Sequence, residues 1–413
     1  MCLFQTHPKH PGYLDGFEKD TFPRLLRGQD NGPDVIQGLY IHIPFCERRC
    51  HYCDFNTYEG MIDLAPRYVR AVAEDMRLCA ASGMRAQSGG LRSVYFGGGT
   101  PSMLEADELL LLLRAAEQHF GLAGDAEVTV EVNPGTADRV KLERLRAGGF
   151  NRVSFGFQAA QDSHLRELGR VHTAAQSDGA WSAARAAGFD NMSLDLMFGL
   201  SGQSLAEWRE SLEWGLARRP EHVSFYGLTV EAGTRFHALA GQGRLPLPDE
   251  EAQATMYELG LDLLQGAGLG QYEISNFAVP GREAVHNRLY WLNAETLGVG
   301  AGAWSFVAGE RSGRVRWPKA YIDALAGGRI PTAESERLSG RAARVEAAQL
   351  RLRMNQGLDL EAWRSAQGGD FLDEFGGALA PAFSAACLER TGESVRLTAK
   401  GRLLSNEVFV ALL

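Results

Sequence analysis

Three features of this 413-residue chain predict an α/β fold built on a parallel sheet. Short β-rich runs recur, helical patterns separate them, and residues able to do chemistry gather just beyond the runs. Repeated strand–helix units bring their strands together in parallel. The right-handed crossover then closes them into a barrel or a doubly wound sheet. In such a barrel the C-terminal strand ends and the loops after them carry the chemistry. A chain this long exceeds one ordinary core, so two or three domains are expected.

The elements follow in order. Residues 1–35 are polar and rich in Gly, Pro and charge, and read as a mobile N-terminal arm without its own core. Strands are expected at 39–43, 93–97, 127–132, 152–157, 191–198 and 222–228, where β-branched and aromatic residues concentrate. Between them, 106–120, 138–147 and 204–217 carry apolar residues at helical spacing. The expected divisions are a barrel over 36–235, an extension over 236–316 and a small, mainly helical C-terminal domain over 317–413.

Composition narrows the function. With 45% apolar and 23% charged residues the chain reads as a globular protein. A net charge of −9 argues against nucleic acid or an anionic membrane as the main partner. No stretch reads as a signal peptide or a transmembrane segment. Three of the six cysteines are clustered and the others scattered, which does not describe a disulfide framework. A reducing, cytoplasmic setting is expected.

The clustered cysteines, Cys46, Cys50 and Cys53, follow the first strand. Thiolates are natural ligands of iron–sulfur clusters and of zinc. Three of them leave one iron of a four-iron cluster open to an exchangeable ligand. The competing arrangement is a Cys3His zinc site completed by His51 or His42. Strand two runs into Gly97-Gly-Gly-Thr-Pro101, where missing side chains allow either close approach to a ligand or a turn with positive φ. Glu131 lies at the tip of strand three, Gln158 ends strand four, and Arg170 follows in Leu168-Gly-Arg-Val-His172. Asp195, between Leu194 and Leu196, needs partners for its carboxylate: ligand hydroxyls, an arginine or backbone amides.

The stretch Tyr40-Ile-His-Ile-Pro-Phe-Cys-Glu-Arg-Arg-Cys-His-Tyr-Cys-Asp-Phe55 resembles the cluster loop of the radical S-adenosylmethionine (SAM) superfamily. The resemblance implies a partial (β/α)6 barrel and a [4Fe-4S] cluster on Cys46, Cys50 and Cys53, with SAM chelating the fourth iron. It also implies that Tyr40, Tyr52, Gly98, Gly99, Thr100, Glu131, Gln158, Arg170 and Asp195 surround SAM. Reductive cleavage of SAM to a 5′-deoxyadenosyl radical is the chemistry such a site supports, with an electron donor as partner.

Over about 40–304 the chain is similar to the group around oxygen-independent coproporphyrinogen III oxidase. The oxidase has a fourth cysteine two residues after the third, where Phe55 stands here. The HemW-type haem chaperones instead carry Cys-Asp-Phe and His-Asn-x-x-Tyr-Trp, found here as Cys53-Asp-Phe55 and His286-Asn-Arg-Leu-Tyr-Trp291. Gln271-Tyr-Glu-Ile-Ser-Asn-Phe277 is similar to that branch too. The resemblance implies haem as cargo and a haem-accepting protein as partner, with His286 as an iron ligand and Tyr290 and Trp291 as flat contacts. An oxidative decarboxylase of coproporphyrinogen III and a haem-opening enzyme are the alternatives. Two departures stand out. Gly300-Ala-Gly-Ala-Trp-Ser305 has Trp304 where the family commonly has His, and 342–355 lacks the usual Glu-x-Phe-Met-Leu-like run.

Overall fold

A computed structural model describes residues 34–413. The expected N-terminal arm falls almost wholly outside them. All six predicted strands are present: β1 (Gly38–Ile43), β2 (Leu91–Gly98), β3 (Leu122–Val132), β4 (Arg152–Gln158), β5 (Met192–Phe198) and β6 (His222–Gly227). Each pairs in parallel with the next. The crossovers run through α1 (Ala65–Ala81), α2 (Ala106–Phe120), α3 (Arg139–Ala147), α4 (Ala174–Ala186) and α5 (Leu205–Leu216). Local chemistry fixes the helix starts. Glu105 with Glu108, Thr173 with Gln176, and Ser204 with Glu207 form capping boxes, and Asp138 accepts from Lys141 N.

The sheet extends beyond these strands at both edges. After α6 (Glu250–Gly266), β7 (Gly270–Glu273) and β8 (Asn276–Ala278) form a hairpin antiparallel to β6. Past α7 (Val285–Trp291), β9 (Thr296–Val299) runs parallel to β1. Then β10 (Trp304–Val307), β11 (Glu310–Arg314) and β12 (Thr332–Arg337) continue antiparallel. The resulting twelve-stranded order is β7-β8-β6-β5-β4-β3-β2-β1-β9-β10-β11-β12, open at both ends.

Parallel strands covered on both faces usually read as unbroken apolar runs, whereas these alternate. Val94 and Phe96, Val128 and Val130, Val153 and Phe155, and Leu194 and Leu196 are buried in the main apolar core with the crossover helices. The alternate positions carry Tyr40, Tyr95, Glu131, Arg152, Asp195 and Tyr226. One face of the sheet is therefore polar, and its groups must find partners or a ligand.

Residues 318–326 depart from the expected boundary at 317. In α8 (Pro318–Ala326), Tyr321, Ile322 and Leu325 belong to the main core with α1. A separate core begins with Val345 and Ala348 of α9 (Gly340–Leu352) and includes Trp363, Phe371, Phe375 and Val395. Helices dominate this C-terminal domain, but Leu358–Asp359, Leu388–Thr391 and Ser394–Leu397 add a three-stranded antiparallel sheet. No helix among the described residues is long and apolar enough to cross a membrane.

Candidate functional site

Cys46, Cys50 and Cys53 are free thiols on the loop after β1, and all three open into one cavity of about 300 Å3 at the strand C-termini. Two interactions orient the sulfurs. Thr100 Oγ1 is 3.6 Å from Cys46 Sγ, and Arg170 Nη1 donates to Cys50 Sγ at 3.6 Å. Burial pushes the Cys46 thiol up to about 11 and raises that of Cys53. Without a compensating cation or cluster these thiols stay protonated at neutral pH.

The two histidines that could have closed a zinc site are committed elsewhere. His42 places Nδ1 3.0 Å from Tyr40 Oη and Nε2 2.9 Å from the Asn56 carbonyl. His51 lies 2.7 Å from the Glu167 carbonyl through Nδ1 and accepts from Arg235 Nη1 at 3.0 Å through Nε2. Its backbone clamps the loop, donating to Leu168 O and accepting from Phe236 N. No group of three His, Cys, Asp or Glu among the described residues is drawn together around a single-metal site.

Each glycine of the Gly97–Gly99 run has its own reason. A Cβ on Gly97 would lie 2.9 Å from both the Tyr40 and Tyr95 rings, and one on Gly99 would lie 2.7 Å from the Phe45 carbonyl. Gly98 has φ +121°, and its Cβ would meet the His42 ring at 2.7 Å. Gly98 N donates to Glu131 Oε2 at 3.2 Å and Tyr95 Oη donates to Oε1 at 2.7 Å. Even so, burial holds Glu131 up at about 7. Asp195 is pushed up to about 6, chiefly by burial, with the Arg152 and Arg170 guanidiniums acting in the opposite direction. Two enclosed carboxylates on one wall suit a ligand carrying a cation and hydroxyls.

Arg170 is a hub at the strand ends. Its Nη2 donates to Asn133 Oδ1 at 2.6 Å and to the Gly156 carbonyl at 2.7 Å. Its Nε is buried without a partner. Gly169, at φ +79°, lets the His51 ring lie against its backbone, where a Cβ would come within 3.0 Å. Gln158 adopts φ +73°, a conformation uncommon for a side-chain-bearing residue, and accepts from Tyr226 Oη at 3.1 Å. Tyr52 lines the same cavity and packs on a small apolar cluster including Leu168 and Phe236.

The cavity thus brings together Tyr52, Gly98, Gly99, Thr100, Glu131, Gln158, Arg170 and Asp195 with the cysteines. Tyr40 lies beside it, in a neighbouring cavity that shares Gly98 and Glu131. Asn133, Ser154 and Tyr226 also line it without having been singled out in the sequence. Ser154 and Tyr226 take alternate positions of β4 and β6, and Asn133 stands two residues after Glu131.

The His286 segment sits differently from the sequence expectation. His286 is 2% exposed, with Nδ1 2.8 Å from Ser93 Oγ and Nε2 2.9 Å from Tyr290 Oη. Its ring stacks on Tyr95 at 5.1 Å, and Glu127 accepts from the Val285 and His286 amides. Burial pushes the imidazole down to about 3. Neither nitrogen faces open space, and His286 holds α7 against β2. Trp291 lies under the Arg353 guanidinium at 4.5 Å, while Tyr290 reaches the neighbouring cavity.

Comparison with known proteins agrees with this geometry. The family model of the Radical SAM superfamily matches residues 40–215, and that of the HemN C-terminal domain matches 338–404. The chain is 37% identical to the haem chaperone HemW of Bacillus subtilis over 92% of its own length and 99% of that protein. It is 36% identical to HemW of Mycobacterium tuberculosis over 95% and 98%. Escherichia coli coproporphyrinogen III oxidase, HemN, described as a radical SAM enzyme, shares the fold at TM-score 0.80 and 23% identity, over 94% of this chain and 93% of that one.

Proposed function

This chain belongs to the HemW family of haem chaperones within the radical SAM superfamily, and we propose that it binds haem and passes it to an acceptor protein. We further propose that Cys46, Cys50 and Cys53 hold a [4Fe-4S] cluster whose open corner takes SAM. The observation that carries this reading is the single cavity joining three free thiols to Glu131, Arg170 and Asp195. With both groups bound, the site held by Cys46, Cys50 and Cys53 would allow one electron to pass to the sulfonium. An electron donor is therefore a partner, and a reducing compartment such as the cytoplasm suits the thiols.

The chain's own residues divide the work. Arg170 places a guanidinium against Cys50 Sγ at 3.6 Å and would hold that sulfur in position for a cluster. Thr100, itself accepting from Asn133 Nδ2 at 2.9 Å, orients Cys46. Glu131 presents a carboxylate that would accept from the SAM amino group beside the open backbone of Gly98 and Gly99. Asp195, between Ser154 and Ser224, suits the ribose hydroxyls. Gln158 and Tyr226 bound the far side, Tyr40 and Tyr52 flank the cluster end, and buried groups around them limit access of water.

Phe55 favours the chaperone over the oxidase reading, because it places an apolar ring where the oxidase has a fourth thiol. Anaerobically reconstituted protein is expected to bind haem at one per chain in a Soret titration. With SAM, reductant and coproporphyrinogen III it is expected to leave the porphyrinogen unchanged. Formation of protoporphyrinogen would replace the chaperone reading with the oxidase one.

A further inference from the structure

A second cavity, of about 480 Å3, adjoins the cysteine cavity and shares Phe55, Gly98 and Glu131 with it. Its size falls in the range of roughly 300–1,000 Å3 usual for small-molecule sites. Three of its lining rings remain well exposed: Phe55 at 64%, Trp304 at 47% and Tyr290 at 37%. Rings left open around one concavity mark a surface that something apolar covers.

Two of these rings are held in place. Trp304 pairs across the sheet with Gly313, and a Cβ there would lie 3.0 Å from the indole Cε2 and Cζ2. The missing side chain lets the indole lie along β11. Tyr290 is fixed through its hydroxyl by His286 Nε2 at 2.9 Å.

Charge then selects the ligand. Two arginines line this cavity, and Arg314 is occupied by Asp75 at 3.0 and 3.2 Å. Arg316 is exposed, touches Asn56 Oδ1 at 3.4 Å, and forms no ion pair with any carboxylate among the described residues. Glu334 and Glu131 also line the space and would repel a carboxylate, which leaves the Arg316 edge to accept one. The one imidazole in the wall, His42, has both nitrogens within hydrogen-bond distance of Tyr40 and Asn56. The chemistry described is a flat, apolar, carboxylate-bearing ligand held without a histidine on its centre.

We propose that this cavity receives the tetrapyrrole, with its face on Trp304 and Phe55 and a propionate on Arg316. The inference rests on the haem-chaperone reading and relocates the macrocycle from His286, where the sequence had put it. Because the wall supplies no free imidazole, binding depends on the ring face and the carboxylates and only weakly on the iron.

The test titrates wild-type protein and three variants with haem, with iron-free protoporphyrin IX, and with the protoporphyrin dimethyl ester. Readouts are Soret absorbance and quenching of protein fluorescence. Wild type is expected to bind haem and protoporphyrin within about threefold of each other. Trp304→Ala should weaken both about tenfold, while Trp304→Phe restores most of the affinity. Arg316→Gln should weaken the free acids about fivefold and leave the ester unchanged. Saturable haem binding that ignores both Trp304→Ala and Arg316→Gln would overturn the site and leave the chaperone reading standing. A wild type that binds neither haem nor porphyrin would overturn both.

Discussion

Glu131 carries a measurable consequence of its burial. Its carboxyl is raised to about 7, with burial the largest cause, so unfolding lowers its pKa. The stability this gives the ligand-free protein is present below the unfolded value near 4.5 and is lost as pH rises through about 7. A ligand amino group works the other way, because its N–H groups donate best to the charged carboxylate. SAM affinity is therefore expected to strengthen between about pH 6 and 8, and Glu131→Gln to weaken binding and flatten that rise. Isothermal titration at several pH values measures both, and an unchanged slope in the variant would remove Glu131 from the SAM site. Gly98 offers a second test. Ala at φ +121° would be strained and would press on His42, so Gly98→Ala should cost about 1–3 kcal/mol in urea unfolding and weaken SAM binding. Unchanged stability would contradict the crowding described here.

Among the elements, α7 shows how a motif can be identified while its surroundings stay hidden in the sequence. His286, Tyr290 and Trp291 lie on a seven-residue helix whose first amides meet Glu127, more than 150 positions earlier in the chain. Sequence pattern cannot supply that long-range partner, nor the Ser93 hydroxyl that takes one imidazole nitrogen. His286→Ala removes two hydrogen bonds and leaves a hole in a packed stack, so a loss of about 2–4 kcal/mol is expected. Haem stoichiometry should survive at a temperature where the variant remains folded. Lost haem binding with unchanged stability would return His286 to the role of ligand. The six parallel strands were legible because β-branched and aromatic residues concentrate in them and helical patterns separate them. Strand β3 begins earlier than expected, at Leu122, because Gly124 and Asp125 read as a turn. Strand β12, Thr332–Arg337, is exposed along its whole length and has no apolar face to betray it.

At the scale of the whole molecule, a buried ionic knot ties the antiparallel edge to the barrel. Arg314 of β11 meets Asp75 of α1, which also accepts from Tyr321 of α8 at 2.8 Å. Tyr321 in turn accepts from Gly300 N at 3.0 Å, next to the loop leading to Trp304. Removing one partner leaves a buried charge alone, so Asp75→Ala should destabilise the chain by about 3–5 kcal/mol in urea unfolding. A loss below about 1 kcal/mol would mean the knot is not what holds that edge. This closure was not legible, since Asp75 lies more than 200 residues from Arg314 and Tyr321 and each looks like an ordinary surface charge or aromatic in sequence. The cysteine site was legible because its ligands lie on one short loop. The account as a whole turns on what those thiols bind. The most direct measurement is iron and acid-labile sulfide content after anaerobic reconstitution, alongside the electron paramagnetic resonance signal of the reduced protein with and without SAM. About four irons and four sulfides per chain, a signal changed by SAM, and loss of both in Cys46→Ala, Cys50→Ala and Cys53→Ala are predicted. Stoichiometric zinc without sulfide, or a full cluster in any of those variants, would contradict it.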